Sequence, residues 1–249
     1  MDKNHAKTIL EEFLSFPLSN AVDILNKFSL LDGAISRFNE DKRNFVYVPG
    51  PREDRVVLVA HADTVWDEYY KGYKTKPQKT VEKNGVYRGK NGVCGIGADD
   101  RAGCAVLWLL RDLGHSLLIL DGEERGQIGA NYLKSDYPDL FDELNAHSYM
   151  LQFDRRGYSD FKVYDLPVSE EFLTFIKEKT LYSEPNKNSR TDIVVLCEKI
   201  CGANLSVGYY NEHTPDERLD FGEWFRTLTV AEDVLTERQT RFPLKKRRD

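Results

Sequence analysis

Cysteine is scarce in this chain and scattered. Cys94, Cys104, Cys197 and Cys201 are the only four in 249 residues, with none of the tight pairing of a disulfide framework or zinc ribbon. Cys197 and Cys201 are one helical turn apart and read as small packed side chains; Cys94 stands in a glycine-rich stretch close to Asp99 and is the one thiol worth following. Long apolar runs are missing too. No stretch reaches the length of a membrane span and no basic start leads into an apolar segment, so the expectation is a cytoplasmic protein with no membrane contact. Positive charge is not in excess: 35 Lys and Arg against 41 Asp and Glu give a net charge of −6, which offers nucleic acid or an anionic membrane no electrostatic footing. The short basic run Lys245-Lys246-Arg247-Arg248 reads as a solvated end. Repeats, low-complexity tracts and Pro/Gly/Ser linkers are absent as well, so one domain over residues 1–249 is expected, and a 41% hydrophobic content suffices for its core.

What is present is an alternation of strand and helix patterns. Apolar residues at helical spacing predict helices over 9–16, 22–30, 98–113, 127–134, 137–145, 168–182, 191–200 and 218–236. Short β-branched or apolar runs predict strands over 45–48, 56–60, 86–87, 117–120, 147–153, 159–164 and 203–210. Such alternation argues an α/β fold, a three-layer α/β/α sandwich around a mixed, mostly parallel sheet. In open sheets of this kind the site forms outside the carboxyl ends of the strands.

Polar residues collect at those ends. In chain order they are His61-Ala-Asp63, Asp99-Asp100, Glu123-Glu124, Asp154 and His213, of which all but Asp99-Asp100, at the start of the helix predicted over 98–113, sit just past such a run. Singly, each has an ordinary reading: a hydrogen-bonded structural histidine, an acid paired with its own Arg155 and Arg156, an exposed turn residue. Glu123-Glu124 differs from the helical pairs Glu11-Glu12 and Glu170-Glu171, because it directly follows an apolar strand through Asp121-Gly122, where no solvated helix face is available. Adjacent carboxylates there suit two tasks, one binding a cation and the other holding a proton beside the cation's water. Asp63 fits the carboxylate that fixes the tautomer of a metal-bound imidazole. Taken together, buried acids at one sheet edge repel one another unless cations sit among them.

The segments His61-Ala-Asp-Thr-Val65, Gly97-Ala-Asp-Asp-Arg-Ala-Gly103, Gly122-Glu-Glu-Arg-Gly126 and His213-Thr-Pro-Asp-Glu217 resemble the motifs of the co-catalytic di-zinc exopeptidase superfamily, which includes peptidase-T-like tripeptidases, acetylornithine-deacetylase-like amidohydrolases, tetrahedral aminopeptidases and bacterial leucyl aminopeptidases. The resemblance implies two divalent metal ions, zinc in the first instance, with Asp99 bridging them. His61 and Asp154 would complete one site and Glu124 and His213 the other. It also implies Glu123 as general base, Asp63 as the residue orienting His61, a cis bond between Asp99 and Asp100, and Glu217 as a supporting acid near His213.

In the deacetylase and peptidase-T relatives a lid or dimerisation domain lies between the positions matching Asp154 and His213, whereas here residues 155–212 are already used by predicted strands and helices. A lidless, single-domain form is therefore expected, without the lid's clamp for a substrate carboxylate. The expected function is a zinc aminopeptidase acting on a small peptide. The alternatives are an amidohydrolase or deacylase of N-acyl amino acids or small amides, and a non-catalytic metal-binding protein of the same fold. Tyr209, Tyr210 and Arg190 are candidates to touch substrate, and the loops 66–96 and 155–168 are candidates to set specificity. Nothing in the sequence specifies an oligomeric state.

Overall fold

Along the central strands apolar side chains alternate between two faces, and this alternation divides the core. Val46, Leu58, Ala60, Leu117, Ile119, Leu151 and Leu205 face one cluster of helices; Phe45, Tyr47, Val57, Val59, Leu118, Leu120 and Met150 face another. The computed structural model describes residues 1–39, 41–69, 79–90, 92–185 and 191–245. In chain order the elements are α1 (Lys3–Ser15), α2 (Ala21–Ser29), β1 (Ile35–Arg37), β2 (Phe45–Val48), β3 (Val57–His61), α3 (Trp66–Tyr69), β4 (Thr80–Lys83), β5 (Val86–Gly89), α4 (Ala98–Leu110) and β6 (Ser116–Leu120). There follow α5 (Ile128–Asp136), α6 (Pro138–Leu144), β7 (Met150–Arg155), β8 (Phe161–Lys162), α7 (Glu170–Thr180), α8 (Asp192–Leu196), β9 (Gly202–Ser206), β10 (Tyr209–Tyr210), β11 (Arg218–Asp220) and α9 (Phe221–Thr236).

Seven strands form the main sheet in the order β1-β2-β6-β3-β7-β9-β8. Its centre, β6-β3-β7-β9, is parallel, and the outer strands β1, β2 and β8 run antiparallel. Residues of α1, α2, α4, α7 and α9 pack on one face and residues of α5, α6 and α8 on the other. This is the three-layer α/β/α sandwich with a mixed, mostly parallel sheet that the sequence pattern predicts. Among the described residues no helix is long and apolar enough to cross a membrane.

The structure corrects several boundaries. The run 203–210 is not one strand: it breaks at Gly208, and its last residues, as β10, join β11, β5 and β4 in a separate antiparallel sheet. Gly208 adopts φ +81°, and a Cβ there would lie 2.8 Å from the Trp224 amide nitrogen, so the chain turns where only glycine fits. The helix predicted over 191–200 stops at Leu196, because the next amides, of Glu198 and Lys199, donate to the Asn145 side chain at 2.9 Å each. Cys197 and Cys201 are consequently not on one helix, although both are buried. The helix predicted from 218 begins at Phe221, capped by Asp220, since Arg218–Asp220 pair with β5.

Candidate metal centre

Strand ends place three of the site segments, a helix start one and a turn of the small sheet another. His61 is the last residue of β3, Asp154 lies near the end of β7, and Glu123 and Glu124 form a single 3-10 turn after β6. Asp99 and Asp100 interrupt the start of α4 with non-helical backbone, and the bond between them is cis. His213 does not follow a core strand; it lies in the turn between β10 and β11 of the small sheet.

These segments converge. His61 Nε2 is 3.2 Å from Asp99 Oδ1 and 3.4 Å from Asp154 Oδ1. His213 Nε2 is 3.1 Å from Asp99 Oδ2 and 3.0 Å from Glu124 Oε1. The donor atoms thus form two triads, His61/Asp99/Asp154 and Asp99/Glu124/His213, each within 4.8 Å, and Asp99 offers one carboxylate oxygen to each. His61 presents Nδ1 to Asp63, 3.2 Å from its carbonyl and 3.4 Å from its carboxylate. With a cation among the acids, a proton kept on Nδ1 would leave the Nε2 lone pair to bind it, the arrangement of a metal-ligating histidine.

A cation fits this donor set on a further observation. Among the described residues, the buried Glu124 Oε1 has only the His213 ring nitrogen, 3.0 Å away, which it shares with Asp99 Oδ2, a poor supply of donors for two buried carboxylates. The charges respond accordingly. Burial, with Asp154, Asp192 and Asp99 nearby, pushes Glu123 up to about 10 despite the opposing pull of His61, and burial with Asp99 pushes Glu124 up to about 7. Hydrogen bonds to Asp99 and Glu124 push His213 up to about 11. Burial opposes ionisation of Asp99, yet the hydrogen bonds from the two imidazoles hold it below its ordinary value. Zinc, with its preference for imidazole nitrogen and carboxylate oxygen, matches each triad.

Several supporting residues were not singled out from sequence. Asp154 Oδ2 accepts from Thr191 Oγ1 at 2.7 Å and from Gln152 Nε2 at 3.1 Å, while Asn204 Oδ1 accepts the Asp154 amide. Gln152 and Asn204 are polar positions inside apolar strands, the signal that would have found them. Glu217, matched by resemblance as a supporting acid, accepts from the amides of Ile96 (2.7 Å), Gly97 (2.8 Å) and Asp99 (3.1 Å), so it holds the loop carrying Asp99. Burial pushes Glu217 up to about 7 against those amides. Asp100 accepts the His61 and Gly103 amides. Asp192 is fully buried, and neither carboxylate oxygen has a hydrogen-bond partner among the described residues.

Of the candidate substrate residues, the Tyr209 hydroxyl donates to Asp154 Oδ1 at 3.1 Å and so stands at the centre. Tyr210 does not: its hydroxyl donates to Glu223 at 2.5 Å and Arg218 stacks on its ring, because β10 directs successive side chains to opposite faces. Arg190 lies outside the described residues, as do positions 70–78 and 91 of the 66–96 loop. Arg155 pairs with Asp160 and Arg156 with Glu212, each at 2.9 Å, rather than with Asp154. Cys94 is buried.

No protein-family model matches the chain, and no functionally curated protein matches it. Solved structures do. The aminopeptidase PepT from Bacillus cereus superposes with a TM-score of 0.67 at 14% identity, over 95% of this chain and 98% of that one. A tripeptidase from Staphylococcus aureus gives 0.66 at 14% identity, over 95% and 100%. An aminopeptidase from the archaeon Desulfurococcus kamchatkensis gives 0.63 at 13% identity, over 94% and 96%. At such identities the likeness is one of fold. In its three-layer scaffold and centrally parallel mixed sheet, the chain has the fold of these peptidase structures.

Proposed function

We propose that the chain is a zinc-dependent peptidase, specifically an aminopeptidase acting on small peptides. The observation that carries this reading is the double convergence on Asp99, whose two oxygens face His61 and His213 from opposite triads. His61, Asp99 and Asp154 would hold one ion, and Asp99, Glu124 and His213 the other. Zinc bound there supplies polarisation of the scissile carbonyl and a more acidic water.

The remaining steps belong to the protein. Glu123 is in neither triad; with cations offsetting the neighbouring acids that otherwise keep it protonated, it would take the proton of the attacking water and return it to the leaving amine. Asp63 orients His61 and, by accepting the amides of Glu123 (3.1 Å) and Glu124 (3.2 Å), holds base and ligand in one turn. The Tyr209 hydroxyl, which donates its one proton to Asp154 Oδ1 here, would become a donor for the developing oxyanion once that oxygen is taken up by an ion.

Charge favours a free amine over a carboxylate as the recognised terminus. With Arg155 and Arg156 engaged by Asp160 and Glu212, the described residues of the centre are dominated by carboxylates, whose potential suits an α-ammonium. Between Asp154 and His213 the described residues form β8, α7, α8, β9 and β10, which supports a lidless single domain with an open cleft.

The test is an assay of zinc- and cobalt-loaded protein against free-amine peptides and their N-acetylated counterparts. Metal-dependent cleavage of the free amines is expected. Faster cleavage of the blocked set would make the protein a deacylase, and no turnover of either set would make it a non-catalytic metal binder.

A further inference from the structure

Two more buried carboxylates, Asp67 and Asp121, stand at the sheet edge near Asp63. One ammonium meets both. Lys42, from the segment before β2, bonds to Asp67 and lies 3.4 Å from Asp121 Oδ1, and its charge also interacts with Asp63. Arg101, the other cation acting on Asp67, has its guanidinium engaged by the carbonyls of Phe16 and Pro17.

The topology explains how Lys42 arrives there. Because β2 pairs antiparallel with β6, with Phe45 opposite Leu120, the residues before β2 fold over the end of β6. Asn44 accepts the Asp121 amide at 3.1 Å and donates through Nδ2 to Asp121 Oδ2 at 2.6 Å. Lys42 itself packs against Gly122, where an added Cβ would lie 3.3 Å from its own. Asp67 belongs to the segment following His61 and Asp63; Asp121 belongs to the segment leading into Glu123 and Glu124. The Lys42 ammonium therefore joins the two loops that carry one metal-ligand histidine, its orienting acid, the base and a ligand carboxylate.

We propose that Lys42 is a positioning residue for the two-metal centre, an ammonium that clamps the loop after β3 to the loop after β6. The proposal rests on the metal-site reading above. Without the ammonium, Asp63, Asp67 and Asp121 face one another lacking their shared cation. Leaving buried charge uncompensated in this way is strongly unfavourable, and the loops relieve it by separating. Separation pulls on the two amide bonds by which Asp63 holds Glu123 and Glu124. Partners that orient metal ligands typically matter by about 10- to 100-fold in metal affinity.

The experiment is chelator competition for zinc on the full chain, with kcat and KM measured separately, for Lys42→Met, Lys42→Arg and the double variant Lys42→Met/Asp67→Asn. Lys42→Met should weaken zinc binding by about 10- to 100-fold and lower kcat with KM little changed. Lys42→Arg should recover part of the loss. The double variant, which removes a carboxylate together with the ammonium, should bind zinc more tightly than Lys42→Met alone, a recovery that a packing role would not give. Should Lys42→Met fail to fold, Lys42→Gln takes its place in the comparison. Zinc affinity unchanged by loss of the charge, or a double variant weaker than the single, would overturn the clamp while leaving the peptidase reading intact. A wild-type protein that binds no zinc would overturn both.

Discussion

Replacing Glu123 by glutamine separates base from ligand more cleanly than any other change. The side chain keeps its shape, and its Oε1 keeps the weak contact from Gln127 Nε2 at 3.4 Å. What disappears is the ability to take a proton. A positioned general base contributes about 10² to 10⁴ in rate, or about 3 to 5 kcal/mol of barrier, so kcat of the zinc-loaded protein should fall by that factor. Zinc content should not fall, since Glu123 lies in neither triad. Stability of the metal-free protein should hold or rise, because burial and the nearby acids disfavour an ionised Glu123 and a neutral amide removes that conflict. Turnover of a free-amine peptide, metal analysis of the dialysed protein and a thermal melt with chelator present are the three measurements. A kcat within about tenfold of wild type, or zinc lost in proportion to activity, would refute the division of labour within Glu123-Glu124.

Further outcomes follow from the geometry. His213→Ala should reduce zinc stoichiometry from two to one in a titration, because His213 belongs to one triad only; loss of both ions would show that the triads do not bind independently. Metal-free protein should melt at progressively lower temperature as pH rises from about 5 to 8 in a series of scans. Glu124, raised from 4.5 to about 7, keeps its proton in the folded state at pH values where the unfolded chain has lost it, and His213, raised from 6.5 to about 11, does so at higher pH; each contribution is present at low pH and lost on raising it. The gain in melting temperature on adding zinc should grow over the same range, since ligands must lose protons to bind it, and a flat metal-free profile would contradict the assigned environments. Gly95→Ala should cost about 1 to 3 kcal/mol in denaturant unfolding, because a Cβ there would lie 2.2 Å from Glu217 Oε2; an unchanged midpoint would mean that Glu217 does not need its three amides.

The fold was legible because apolar alternation and helical spacing are dictated by burial, and burial governs β3, β6, β7 and α4 almost residue by residue. The juxtaposition of His61, Glu124 and Asp154 followed from one rule, that polar residues just past apolar strands gather at one edge; Asp99, at the start of α4, joined them only through the motif resemblance. Illegible were features set by tertiary partners. Asn145 ends α8 from 53 and 54 residues away in sequence by offering its side chain to amides that would otherwise continue a helix. The small sheet escaped notice because β10 has two residues and β11 three, too short for any period. Tyr209 and Tyr210, equivalent in sequence, part company because adjacent strand residues face opposite ways. Lys42 carried no local signal: its meaning lies in the antiparallel pairing of β2 with β6.

The origin of His213 in the small sheet gives bound metal a mechanical part in this molecule. Asp99 and Glu124 are anchored at the ends of the main sheet and its helix, while His213 rides on a turn between two very short strands, with its side chain 47% exposed. Elements with so few paired residues open locally at little cost, independently of a well-packed core. An ion shared among Asp99, Glu124 and His213 would bolt that readily opening unit to the rigid one and lend it stability that grows with the logarithm of metal concentration over dissociation constant. Metal supply would then govern how long the turn carrying His213 stays docked beside the main sheet as well as whether chemistry occurs there.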